Sequence, residues 1–206
     1  MIHAVEQNSP EWFKARLGIP TASAFGKIIT STGKASTKSG DYMNTLLAEW
    51  LAGEPLESWE GNQWTERGHE LEQDARSYYE MTNDVDVEQV GFITNDLAGC
   101  SPDGLVGTNG GFECKCPSPG IHVKYLLGNK VPATYYPQVM GSLWITEREW
   151  WDFESFHPVL DKMIIRVHRD EEYIGLMIDA MQKFTDKMLS KREDLIKMGY
   201  KPTEQA

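Results

Sequence analysis

Two neighbouring stretches of the chain carry residues whose types and spacing suit chemistry at a phosphate. The first, Cys100-Ser101-Pro102-Asp103-Gly104-Leu105, is a turn that Pro and Gly build around one acid. The second, Gly110-Gly111-Phe112-Glu113-Cys114-Lys115-Cys116-Pro117, is a short apolar run with Glu113 and Lys115 two residues apart, ended by Pro117. In a strand, side chains at i and i+2 leave the same face, which sets the carboxylate and the ammonium side by side. Asp103 lies one tight hairpin upstream and folds back beside them. Two acids and a lysine on one surface form a compact site for a hard cation and a phosphate.

The residue types follow from that chemistry. Mg²⁺ takes oxygen ligands in near-octahedral geometry, usually one or two carboxylates, with water and substrate phosphate filling the rest. Asp103 and Glu113 would supply the carboxylates, and the backbone carbonyl of Cys114 another oxygen. A bound metal lowers the pKa of its water and steadies charge growing on phosphoryl oxygens. Lys115 would hold or help deprotonate the attacking water, or neutralise the developing charge. The plain alternative is a surface hairpin whose Glu–Lys pair contributes almost nothing. A different chemistry would use Cys100, Cys114, Cys116 and His122 as a Cys₃His zinc site. Strand alternation instead puts both thiols of Cys114 and Cys116 on the side away from Glu113, as a buried sulfur pair.

The elements around these stretches read as follows. Ser9-Pro10-Glu11 starts a short helix that Gly18 closes, with Trp12, Phe13 and Leu17 on its apolar side. Thr21 to Ile29 reads as a second helix with Phe25, Ile28 and Ile29 inward. Arg16, Ser23 and Lys27 surround this junction, and hydroxyls with an arginine at a helix N-terminus suit a phosphate. Ser31 to Gly40 is by composition a mobile loop whose only charges are Lys34 and Lys38. Helices follow at Asp41 to Ala52 and Gln63 to Met81, the latter with Leu71, Ala75 and Tyr78 as a buried stripe and Glu72 at its margin. Val85 to Thr94 reads as one strand leading into the hairpin. Beyond it, Ser118-Pro119 opens a helix over His122 to Leu127, and Ala133 to Trp144 is another, carrying Gln138. Trp150 to Phe156 and Met163 to Val167 are strand-like. Asp170 to Met198 is a long closing helix with Ile174, Met177, Met181, Phe184 and Met188 at helical spacing. That stripe either packs on the body or forms a subunit contact. The order predicts an α/β fold, a central mixed sheet flanked by helices with a C-terminal helix.

With 206 residues, 40% hydrophobic and 25% charged, the chain suits a soluble globular protein of one domain. Its parts would be N-terminal helices over 9–82, a sheet core over 85–168 and a C-terminal helix over 170–198. No apolar run reaches the ~20 residues of a membrane helix, and the N-terminus lacks signal-peptide character. Three cysteines cannot make a full disulfide framework, so a cytoplasmic location with reduced thiols is expected. The net charge of −11 argues against broad nonspecific binding to nucleic acid. It demands a focused path, with Lys27, Lys34 and Lys38 as candidate contacts, if DNA is the substrate.

Several pieces, in order through most of the chain, carry a family resemblance. They are Arg16-Leu17-Gly18 with Thr21-Ala22-Ser23, Thr45-Leu46-Leu47-Ala48-Glu49, and Gly68 with Glu72 and Asp74-Ala75-Arg76. Then come Cys100 to Leu105, Glu113 to Pro117, and Gln138-Val139 followed by Ser142-Leu143-Trp144. The sequence resembles the phage lambda exonuclease group of YqaJ-type viral alkaline exonucleases, within the PD-(D/E)xK nuclease superfamily. The resemblance implies that Asp103, Glu113 and the Cys114 carbonyl hold one or two Mg²⁺ ions, with Mn²⁺ able to substitute. It implies that Lys115 is catalytic, that Glu72 is a helix-borne acid near the metals, and that Gln138 helps hold the site. Arg16 and Ser23 would grip the 5′-terminal phosphate.

The implied activity is 5′-to-3′ digestion of one strand of linear duplex DNA. The implied setting is a phage or prophage protein in a bacterial host, assembled as a ring-shaped trimer beside a single-strand annealing protein. The loop Ser31–Gly40 lacks the bulky and arginine residues expected near a strand-splitting wedge, and Leu56 to Asn62 departs from the pattern. A restriction-type endonuclease shares the acid, acid and lysine set, and a zinc-binding DNA-end scaffold would use the cysteines without catalysis.

Overall fold

A computed structural model describes residues 1–56 and 63–203, with side chains for all of these except 63–70. Helix α1 (Pro10–Arg16) begins as its sequence dictates. The Ser9 hydroxyl accepts from the Trp12 N–H at 3.2 Å and proline occupies the first turn. The left-handed Gly18 then turns the chain away. Thr21 to Ile29 is a 3₁₀ turn over Ala22–Lys27 rather than the expected helix. Thr21 is bridged to Gly99 and Ile29 to Ala35, so too few residues remain between two extended tethers for a longer element. Phe25, Ile28 and Ile29 are buried as expected. The loop expected to be mobile is tied by backbone bonds from Thr30 to Lys34 and from Ser36 to Ile28. Helix α2 (Ser39–Ala52) starts two residues earlier than its periodicity suggests and ends at a left-handed Gly53.

Helix α3 (Gln63–Asn83) buries Ala75 and Tyr79, while Leu71 and Tyr78 are half-buried. The expected stripe is thus shifted by one residue at its C-terminal end. The part of the departing segment that runs over 57–62 lies outside the described residues.

The run Val85 to Thr94 is not one strand but two, β2 (Val87–Glu88) and β3 (Phe92–Thr94), and they belong to different sheets. The crossing point is Gly91, where any Cβ would lie 1.8 Å from the Val5 carbonyl oxygen. Strand β3 sits between β1 (Ile2–His3) and β4 (Gly99–Cys100) in a small antiparallel sheet. The main sheet has the order β2, β5 (Gly104–Val106), β6 (Gly110–Lys115), β7 (Trp150–Ser155), β8 (Met163–His168).

Among the described strands of this sheet, only β6 and β7 run parallel. A parallel pair needs a long crossover, here made by α4 (Pro119–Gly128) and α5 (Tyr136–Thr146). Helix α5 starts later than expected because Pro137 belongs to its first turn.

Register sorts the side chains of β6 between two faces. Glu113 pairs with Phe153 and Lys115 with Ser155 on one side, while Phe112 pairs with Asp152 and Cys114 with Glu154 on the other. Ala75 and Tyr79 of α3 pack with Phe112 and Cys114. The opposite core joins α2, α5 and α6 (Glu171–Lys197) to Trp151 and Phe153. All five stripe residues of α6, Ile174 through Met188, are buried there against the chain's own body, which accounts for the stripe without a second subunit. The fold is mixed α/β, a five-stranded mixed sheet flanked by helices with a C-terminal helix.

Candidate active site

The site forms where β5 gives out and β6 continues. Gly104 pairs with Phe112, so the next residue of β6 along that edge has no strand opposite it. Asp103 takes that place with its side chain. Its Oδ2 accepts from the Cys114 N–H at 2.7 Å, standing in for the missing strand. In a strand the N–H and C=O of one residue leave on the same edge, so the Cys114 carbonyl faces the same gap as Asp103.

Glu113 is 2% exposed, which excludes the weak surface pair. Both Lys115 Nζ and Gln138 Nε2 donate to its Oε1, the latter at 2.6 Å from α5. Neither donor uses Oε2. Burial pushes the Glu113 carboxyl up to about 7, with Asp103 and Glu72 adding to the effect and Lys115 opposing it. Burial by itself would lower the Lys115 ammonium, but Glu113 and Asp103 outweigh it and raise it above its ordinary range. Lys115 is therefore held protonated. It also lies 5.5 Å from the centre of the Tyr135 ring. Glu72, half-buried on α3, is close enough for its charge to act on Glu113, Cys114 and Cys116 alike.

Arg16 stacks 3.9 Å over the Trp12 ring, and its Nη1 donates to the Ser101 hydroxyl at 3.0 Å. Burial pulls its pKa down to about 10, leaving it charged at neutral pH. Ser23 is exposed. Its hydroxyl lies 3.4 Å from that of Thr21, whose N–H donates to the Tyr42 hydroxyl, itself a charge neighbour of Arg16. The fold thus brings Arg16 and Ser23 to one corner without bonding them to each other. Lys27 shares that corner, 5.2 Å from the Tyr42 ring centre. Lys34 and Lys38 are exposed, and no described contact carries either side chain to the Glu113 group. Cys100 is fully buried between the two groups, its thiol pushed up chiefly by burial and then by Glu113, while Arg16 opposes.

The zinc reading fails on geometry. His122 is completely buried, with Nδ1 2.8 Å from the Ser155 hydroxyl and Nε2 2.8 Å from the Asp161 carbonyl. Both nitrogens are engaged away from the thiols. Cys114 and Cys116 are instead free thiols that influence each other on the α3 side. Among the described residues no three His, Cys, Asp or Glu side chains gather as metal ligands. Glu72 therefore does not complete a three-carboxylate cluster. Asp103, Glu113 and a backbone carbonyl at one gap are hard oxygen donors that leave several positions to water and phosphate. This donor set fits Mg²⁺, which is commonly held by one or two carboxylates.

Sequence reasoning missed three residues that shape this group: Trp12, Ser101 and Tyr135. The first two had signals, since Trp12 lies four residues before Arg16 on one helix and Ser101 lies inside the acidic turn. Tyr135 reaches Lys115 only through the tertiary fold.

Residues 11–149 match the model of the YqaJ-like viral recombinase domain. This chain belongs to that family. No curated protein sequence is similar enough to match it. Among solved structures, it is similar to an alkaline exonuclease from Laribacter hongkongensis, with 32% identity and a TM-score of 0.84 over 93% of this chain and 98% of that one. The same exonuclease in complex with dAMP matches at 31% identity and an equal TM-score. A phage-related exonuclease from Haemophilus somnus shares the fold, with 18% identity and a TM-score of 0.65 over 84% of this chain and 96% of that one. No helix among the described residues of this family member is long and apolar enough to cross a membrane.

Proposed function

We propose that the protein is a Mg²⁺-dependent exonuclease that digests one strand of linear duplex DNA from a 5′-phosphorylated end. The observation that carries this reading is the buried Glu113 carboxylate, gripped by Lys115 and Gln138 beside the gap that Asp103 fills. Likeness to an alkaline exonuclease over nearly the whole chain supports it.

In this reading Asp103, Glu113 and the Cys114 carbonyl hold Mg²⁺, with Mn²⁺ as a substitute, and Glu72 adds negative charge nearby. When bound, the ion supplies an activated water and neutralises phosphoryl charge. A lysine held protonated is a poor base. Lys115 therefore acts as a donor, to the attacking water or to the charge that develops on the phosphate. Gln138 fixes one oxygen of Glu113 and so the direction of the other. Arg16 grips the terminal phosphate with help from Ser101 and Ser23, and Lys27 adds charge at the same corner. In the same proposal the protein is a phage-type recombination enzyme, working as a ring-shaped trimer beside a single-strand annealing protein.

The test is digestion of linear duplex DNA labelled at its 5′ or its 3′ end, with Mg²⁺ and with chelator, beside covalently closed circles. Mg²⁺-dependent release from the 5′ end with intact circles is the expected result, abolished in Lys115→Ala. Discrete cutting of the circles would instead establish the restriction-type endonuclease. No cutting of any substrate would overturn the enzyme reading.

A further inference from the structure

The turn that carries Asp103 is not secured by its own hairpin alone. Strand β5 begins only at Gly104, so the peptide joining Pro102 to Asp103 lies outside the ladder. A residue from the far end of the chain holds it. Gln7 Nε2 donates to the Pro102 carbonyl at 2.9 Å and to the Val90 carbonyl at 2.9 Å. A side-chain amide has two N–H donors, and here each has one carbonyl. Val90 lies just ahead of β3, so one amide ties the Asp103 peptide to the small sheet.

Gln7 is itself closely placed. Strand β1 pairs with β3, and the Val5 carbonyl lies where a Cβ on Gly91 would stand. Asn8 then takes a left-handed conformation, φ 67°, before Ser9 caps α1. The backbone on both sides of Gln7 is thereby fixed.

We propose that Gln7 is a positioning residue for the divalent-metal site: by holding the Pro102 carbonyl, it sets the direction in which Asp103 leaves the turn. The inference rests on the reading of Asp103 as a Mg²⁺ ligand. Asp103 has one described hydrogen bond of its own, to the Cys114 N–H. The Ser101 hydroxyl, which accepts from Trp12 and Arg16, anchors the start of the turn, and the Gln7 bond to the Pro102 carbonyl fixes the peptide from which Asp103 itself leaves. Productive geometry tolerates errors of about 0.5 Å, so the anchor behind the acid matters as much as the acid's own contact. Gln7 touches neither substrate nor metal in this account and acts only through Asp103.

The experiment measures Mn²⁺ and Mg²⁺ binding to the intact protein without DNA by calorimetry, for wild type, Gln7→Ala, Gln7→Glu and Gln7→Asn. Thermal melts of the metal-free proteins and kinetics against metal and DNA-end concentration accompany it. Gln7→Glu keeps the length but presents oxygens to two carbonyls. The expected result is metal affinity about tenfold weaker in Gln7→Ala and Gln7→Glu, with partial recovery in Gln7→Asn. The half-saturating metal concentration should rise in step, while KM for DNA ends stays within about twofold. A lower Tm with unchanged metal affinity would mean a purely structural tie and would overturn the inference. If Gln7→Ala does not fold, Gln7→Asn decides by the same criterion. Asp103→Ala is the control that separates the two readings. Wild-type metal affinity in Asp103→Ala would overturn the Mg²⁺ assignment itself. Loss in Asp103→Ala with full affinity in the Gln7 variants would overturn only the positioning role.

Discussion

At the residue scale, two buried glutamates carry different expectations. Glu113 has an oxygen held by two donors, and its pKa is raised to about 7, chiefly by burial. A proton on that carboxylate competes with a cation, because ligands must be deprotonated to bind. The Mg²⁺ concentration for half-maximal cleavage should therefore fall as pH rises from about 6 to about 8 and level off above. A requirement that does not change with pH would count against Glu113 as a ligand. Glu154 is a contrasting case: it is completely buried, and neither of its oxygens has a hydrogen-bond partner among the described residues. Burial raises its pKa from 4.5 to about 8, with Cys116 adding and Lys162 opposing. Between those two values the unfolded chain ionises while the folded one stays protonated, so stability is lost as pH rises through this window. Glu154→Gln should then melt several degrees above wild type at pH 8 and no higher at pH 4. An equal difference at both pH values would mean the gain is packing, not charge.

At the scale of elements, α6 offers the sharpest prediction. Met181 is fully buried among the stripe residues, and truncating a core methionine to alanine costs about 2–5 kcal/mol. Chemical denaturation of Met181→Ala should show that loss, while Leu189→Ala, on an exposed position, should stay within about 0.5 kcal/mol. If Met181→Ala changed oligomeric state and not stability, the stripe would be a subunit contact after all. The same helix shows what was legible in sequence. A period of 3.6 over a long segment gave its buried face correctly, as the period of two did for Glu113 and Lys115. The Ser-Pro signal before α1 gave its start. Less was legible where the local pattern was short or the deciding contact distant. Within Val85 to Thr94 the local signal is Gly91, a glycine inside a strand-like run, but that it marks a change of sheet is decided by Val5, far away in sequence. Tyr78 and Tyr79 are adjacent and alike, and only packing against Phe112 selects the second. Gln7 and Tyr135 were invisible for the same reason.

For the whole molecule, charge limits how DNA can be held. The net charge is −11, and the cations at the corner proposed to bind a DNA end are few: Arg16 and Lys27, with Lys34 and Lys38 in the loop beyond. Each phosphate contact contributes about −0.9 to the slope of log affinity against log salt. Binding of duplex ends should thus show a shallow slope of about −4, reduced by about 1 in Lys27→Ala. A slope near −10 would mean that cations elsewhere dominate. The distances in sequence spanned by the stabilising contacts have a further consequence, for folding. Gln7 reaches Pro102 across 95 residues, Tyr173 reaches Thr30 across 143, and Arg192 holds the Gly18 carbonyl across 174. Such non-local closures form slowly, and chains rich in them fold on longer timescales than chains with local contacts. The corner around Arg16 and Ser23 is not tied down until α6 has docked on the Gly18 carbonyl. In a refolding experiment helical signal should return before cleavage does, and a ribosome-bound chain still lacking α6 would be inert toward the DNA around it.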